Sequence, residues 1–125
     1  LNMSDRLRKF TINRARFCGN ENDLELKIEL TYDSSKMLEI ESVELKHNKV
    51  GVIRVTQLLD GQGRKIYSLS PHSINELVLN FDQSNPINNN RAVLRADPAF
   101  TFIINKKGNL PLFKAIKTKF KAIIS

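Results

Sequence analysis

The sequence predicts an all-β fold: a single-domain antiparallel β-sandwich covering residues 1–125, with about seven to nine strands. Three observations predict it. Apolar and polar residues alternate without a break from Leu24 to Tyr32, the pattern of a strand with one buried face. Turn-forming clusters of Gly, Asn, Asp, Ser and Pro recur at intervals of roughly 8–12 residues. Between residues 7 and 104 nothing carries the three-and-four spacing of an amphipathic crossover helix. With 125 residues, 41% of them apolar, the chain can bury one core without cross-links.

Residues 7–18 read as a first strand with a fault. Phe10 and Ile12 share one phase of alternation and Ala15 and Phe17 the other, which predicts a bulge between them. Gly19 to Asp23 is a turn cluster. The strand at 24–32 points Leu24, Leu26, Ile28, Leu30 and Tyr32 inward and Glu25, Lys27 and Glu29 outward. After a turn at 33–36, residues 37–46 change phase between Leu38/Ile40 and Val43/Leu45, predicting a second bulge near Glu41 and Ser42. His47, Asn48 and Lys49 make a short connection into the β-branched run 50–59. Asp60-Gly61-Gln62-Gly63 is a tight hairpin turn, and 64–69 is expected to return as the partner strand. Residues 70–73 break the pattern, and 74–81 form a strand with Leu77, Leu79 and Phe81 inward. The asparagine-rich stretch 82–90 reads as a loop and 91–95 as a short edge strand stopped by Asp97-Pro98. Residues 99–104 form a strand with Phe100, Phe102 and Ile104 on one face.

The C-terminal segment, 110–124, fits a final strand or a short amphipathic helix. As a helix it gathers Leu112, Phe113, Ile116, Phe120, Ile123 and Ile124 in one stripe. As a strand it puts Leu112, Ile116, Thr118, Phe120, Ala122 and Ile124 on one face with Lys114, and Lys117, Lys119 and Lys121 on the other, with Phe113 and Ile123 misplaced among them. Either way Leu112, Ile116, Phe120 and Ile124 close the core and the lysines form a basic face. The general look is that of immunoglobulin-like or jelly-roll-like sandwiches, an architectural likeness only. The paired cysteines and buried tryptophan of true immunoglobulin domains are missing, since Cys18 is alone and there is no Trp.

Charge is the clearest functional signal. The net charge is +7, but residues 21–44 hold eight acids against Lys27 and Lys36, whereas 106–125 hold six lysines and no acid. The expected basic interaction face comprises Arg6, Arg8, Arg14, Arg16, Lys106, Lys107, Lys114, Lys117, Lys119 and Lys121. The expected acidic face comprises Glu25, Glu29, Glu39, Glu41 and Glu44.

No motif for catalysis or metal binding accompanies this pattern. His47 and His72 lie in turns and read as solvated; Cys18 reads as a small buried apolar residue. The glycines at 61 and 63 lack the spacing of a phosphate-binding loop, and the acids lack that of a calcium loop. No cofactor and no enzymatic activity are expected. The expected function is a structural or assembly subunit, or an interaction module, docking protein neighbours in a homo- or hetero-oligomeric assembly such as a virion, tail or pilus. The alternative is a nucleic-acid-binding barrel with a basic groove and interleaved aromatics (Phe10, Phe17, Tyr67 and Phe113). No apolar run is long enough to span a membrane and no leader-like segment occurs in the first sixteen residues. The start at Leu1 leaves a removed leader or a longer parent chain open, so no localisation is assigned.

Overall fold

The computed structural model describes residues 9–108 and 115–125. Eight strands account for most of them: β1 (Lys9–Cys18), β2 (Glu25–Asp33), β3 (Leu38–His47), β4 (Gly51–Asp60), β5 (Ser68–Leu69), β6 (Ser73–Phe81), β7 (Ala99–Lys106) and β8 (Ala115–Lys121). A 3-10 turn (Asn88–Asn90) and one short helix, α1 (Arg91–Ala96), lie between β6 and β7. The strands form one sheet in the order β1-β2-β6-β4-β3-β7-β8, with β5 paired to β3. Every neighbouring pair is antiparallel. The all-β antiparallel expectation therefore holds. The sheet curls until its two ends meet, so the facing layers are opposite walls of one nearly closed barrel.

The ends meet at a single bridge. Phe17 donates its N–H to the Ile123 carbonyl (2.8 Å), and Ile123 donates to the Ala15 carbonyl (3.1 Å). Seven strands in antiparallel sequence leave the first and last pointing the same way, so this bridge is parallel.

Alternation sets which residues are inside. Leu26, Leu30 and Tyr32 of β2 are fully buried, as are Leu45, Ile53, Leu77 and Leu79 of other strands. Phe10 stacks on Tyr32 with centroids 4.9 Å apart, and the Tyr32 hydroxyl donates to the Lys36 carbonyl (2.6 Å), satisfying its buried polar end. Both phase changes are register shifts, between Ile12 and Arg14 against β2 and between Ile40 and Ser42 against β7. A third shift lies between Val55 and Gln57 against β6.

Two expectations need correction. Residues 91–95 are not an edge strand but lie in α1, which buries Leu94 completely. The stretch around it is held by asparagine side chains. Asn85 receives the Ile87 N–H (2.8 Å) and donates to the Asp82 carbonyl (2.6 Å), and Asn90 donates to the Pro86 carbonyl (2.6 Å). These bonds replace a β-ladder for the backbone. Residues 64–69 do not return along β4: only a bridge from Lys65 to Leu59 forms, and β5 pairs with β3. β4 pairs with β3 on one edge through Arg54 and with β6 on the other from Val55 onward; past Arg54 the β3-side edge takes only the Lys65 bridge, because the returning chain crosses to β3 at Ser68 and Leu69. Phe81 points inward as expected, half-buried beside Phe17 where β6 stops. Of the two conformations open to the C-terminal segment, the strand is found, over Ala115–Lys121; residues 110–114, with Leu112, Phe113 and Lys114, lie outside the described residues.

Candidate functional site: a basic face at the barrel seam

Antiparallel pairing with β7 fixes the outward side of β8. Lys117 lies opposite Ile103, Lys119 opposite Thr101 and Lys121 opposite Ala99. All three lysines are exposed, while Phe120 between them is buried and stacks on Phe100 at 5.7 Å. One strand face therefore presents three ammonium groups at steps of roughly 6.5 Å along a backbone fixed by its core side. Further along the same ladder, Lys46 of β3 pairs with Thr101, extending the row across the sheet.

The bridge at Ile123 joins this row to β1. Arg14, Arg16, Lys27 and Lys121 line one shallow groove of about 730 Å³, together with Glu29, Glu76 and the exposed Ile123. Cross-strand register explains the grouping: Arg16 opposes Lys27, Arg14 opposes Glu29, and Glu29 opposes Glu76. The Arg14 guanidinium and Glu29 carboxylate are 3.5 Å apart on an exposed surface, a contact of little energetic weight. Two basic segments far apart in the chain thus become neighbours because the first and last strands close the barrel.

Of the expected basic face, Arg14, Arg16, Lys117, Lys119 and Lys121 are gathered here. Lys107 is exposed at the end of β7, its N–H on the Glu39 carbonyl (3.2 Å). Lys106 is a correction: it is in phase with Phe102 and Ile104, faces inward and is only 8% exposed. Arg6, Arg8 and Lys114 lie outside the described residues. The acids divide. Glu25 and Glu29 are on β2, Glu39, Glu41 and Glu44 on β3, and β6 and β4 stand between those strands. Glu44 pairs with Arg54 on one side and Ile103 on the other. Lys27 and Lys46, absent from the expected face, belong to it; strand order, which local pattern does not encode, places them there.

The turn residues differ from expectation in two places. His47 is not solvated but 1% exposed. Its Nε2 lies 2.7 Å from the Asp97 carbonyl, its Nδ1 receives the N–H groups of Lys49 (3.1 Å) and Val50 (3.3 Å), and its ring packs on Phe100 at 5.1 Å. This pattern makes Nε2–H the donor and Nδ1 the acceptor. Cys18 is half-buried rather than fully buried. His72 is exposed, as expected, and lies 2.9 Å from an Asp33 carboxylate oxygen. The glycine-containing turn is a hairpin turn. One Asp60 oxygen accepts the N–H groups of Gln62 (2.8 Å) and Arg64 (2.9 Å), and its partner lies 3.1 Å from the Arg64 Nε. The Arg64 N–H, chief among these, holds the Asp60 carboxyl below its ordinary value.

Among the described residues no group of three or more His, Cys, Asp and Glu side chains gathers as a metal site, and no helix is long and apolar enough to cross a membrane. Comparison with protein families, curated proteins and solved structures finds no match to this chain.

Proposed function

We propose that the chain is a non-enzymatic assembly or interaction module that docks protein neighbours through the basic face at its barrel seam. The observation that carries this reading is the outward row Lys117, Lys119 and Lys121, continued by Arg16 and Lys27 around the seam groove. The row belongs to a strand whose other face is used up in the core, so its charges are held in a fixed array, the arrangement that gives orientation and partner selection in protein docking. Acids exposed on β3 of a second copy, Glu39 and Glu41, offer one complementary surface, and contacts of that kind are head-to-tail. Replacing Lys117, Lys119 and Lys121 with Glu abolishes self-association in size-exclusion chromatography with light scattering. Association undiminished by the triple replacement contradicts the reading.

A second reading, a polyanion surface, draws support from the even spacing of the lysine row. Of the interleaved aromatics it calls for, Phe17 is buried against Phe81 and Phe100, Phe10 is half-buried and stacked on Tyr32, Tyr67 is exposed, and Phe113 lies outside the described residues. Such a surface holds phosphates without stacking bases. Titration of labelled single- and double-stranded oligonucleotides at two salt concentrations tests it; tight binding that falls steeply with salt favours this reading over protein docking.

A further inference from the structure

The β3–β4 hairpin is zipped only near its turn. Pairing runs from His47 and Gly51 to Glu44 and Arg54 and stops there. Continued in the same register, Ser42 would face Thr56, but the ladder does not reach residues 41–43 and 55–57. Two of the barrel's register shifts fall at this level, one on the outer edge of each arm. One lies between Ile40 and Ser42 against β7, the other between Val55 and Gln57 against β6. A bulge bends its strand, so the arms diverge where both are bulged. The returning segment then spans the fork. Ile66 donates to the Leu58 carbonyl (3.0 Å) and Ile40 donates to the Tyr67 carbonyl (2.8 Å), which ties one arm to the other. Between this tie and the Glu44–Arg54 pair a cavity of about 320 Å³ remains in the barrel wall. It lies between β4 and β3, away from the β1–β8 seam.

The lining has two characters. Val55, Leu58 and Ile66 are half-buried, and Tyr67 beside them is 65% exposed. The polar side chains are chiefly donors. Gln57 Oε1 accepts from Asn80 Nδ2 (3.2 Å), which leaves the Gln57 amide N–H groups to donate. The Ser42 hydroxyl oxygen accepts from Asn105 Nδ2 (3.0 Å), which leaves its proton to donate. Thr56 and Lys65 add a hydroxyl and an ammonium. Small-molecule sites combine apolar walls with a few placed polar groups in volumes from about 300 Å³ upward. An inorganic anion would use Lys65 and leave the apolar wall without a partner. A hydrocarbon would cover the Gln57 and Ser42 donors without satisfying them, at a cost in affinity. A sugar ring meets both demands, with a C–H face for the apolar wall and hydroxyl oxygens for the donors.

We propose that the fork between β3 and β4 binds a pyranose sugar, its C–H face on the Tyr67 ring and its hydroxyls on Gln57, Ser42 and Thr56. The site goes beyond the docking reading and shares no residue with the lysine row.

The test is a titration of the isotopically labelled full chain, followed by amide chemical shifts, with the methyl glycosides of glucose, galactose and mannose. Cyclohexanol is the control, a ring of similar size with one hydroxyl. At least one glycoside is expected to shift the amides of Ser42, Thr56, Gln57, Ile66 and Tyr67 saturably, with Kd of about 1–10 mM, and to bind roughly tenfold or more tightly than cyclohexanol. A disaccharide that binds more tightly than its methyl glycoside supports the end of a glycan as the source; equal binding supports a free sugar. Tyr67→Phe is expected to keep binding, because the ring and not its hydroxyl makes the contact. Tyr67→Ala and Gln57→Leu are each expected to weaken it by about tenfold with the circular dichroism unchanged, since both side chains are exposed. Replacement of Lys117, Lys119 and Lys121 with Glu is expected to leave sugar binding as it was, so the two readings fail separately. No saturable shift from any glycoside up to about 100 mM overturns the proposal, and cyclohexanol binding as tightly as the glycosides overturns the sugar assignment.

Discussion

Replacing His47 with Leu removes a connector between two distant parts of the barrel. The imidazole joins the β3–β4 turn, through the Lys49 and Val50 N–H groups, to the Asp97 carbonyl just ahead of β7. Leucine keeps most of the apolar volume against Phe100, so the cost is chiefly polar. The Asp97 carbonyl loses its partner and two N–H groups lose a shared acceptor. At about 0.5–1.5 kcal/mol per hydrogen bond, the expected loss is roughly 2–3 kcal/mol. For a chain of 125 residues that lowers Tm by about 10 °C. His47→Ala adds a cavity beside Phe100 and is expected to cost about 1–2 kcal/mol more. Urea unfolding followed by far-ultraviolet circular dichroism measures both, with m-values unchanged. A His47→Leu protein within about 0.5 kcal/mol of the parent refutes the assignment of these bonds as structural.

Three further outcomes follow from local geometry. The Asp60 carboxyl sits below its ordinary value of 3.8, so its contribution to stability is present above that pH and is lost as pH falls through the lower folded value. Asp60→Asn is therefore expected to be less stable than the parent at neutral pH, with the gap closing in acid unfolding measured below pH 3.8. Gly51 and Gly19 both have positive φ, 88° and 91°, but a Cβ at Gly51 meets nothing, whereas at Gly19 it would lie 2.5 Å from the Asp23 carbonyl oxygen. Gly51→Ala is expected to cost about 1–2 kcal/mol from backbone strain alone and Gly19→Ala more, which paired thermal melts would show.

How much of this was legible in sequence depended on whether the deciding contact was local. The β2 alternation translated directly into burial at Leu26, Ile28, Leu30 and Tyr32, because one solvated face imposes a period of two. Phase changes at Phe10–Phe17 and Leu38–Leu45 located two bulges, since a bulge leaves its mark in the pattern. The bulge at Thr56 left none, because Val55, Thr56 and Gln57 read equally well on either face. The helix at Arg91–Ala96 escaped because its six residues carry one fully buried side chain, Leu94, too little for either period to show. His47 looked solvated because its burial depends on Asp97, fifty positions away. Lys106 was readable and was missed: it continues the inward phase of Phe102 and Ile104. The basic face could be half seen. Its lysine row is in the sequence, whereas Arg16, Lys27 and Lys121 meet only because the strand order closes a barrel between the first strand and the last.

The central claim is that this fixed array of cations docks protein by electrostatics. Sedimentation velocity of the unmodified chain over a range of concentrations, at about 50 mM and about 500 mM salt, tests it most directly. The account predicts association at low salt that weakens by roughly tenfold or more at high salt, where exposed charges are screened within a few ångströms. A monomer at every concentration and at both salts, or an association indifferent to salt, contradicts self-assembly through this face.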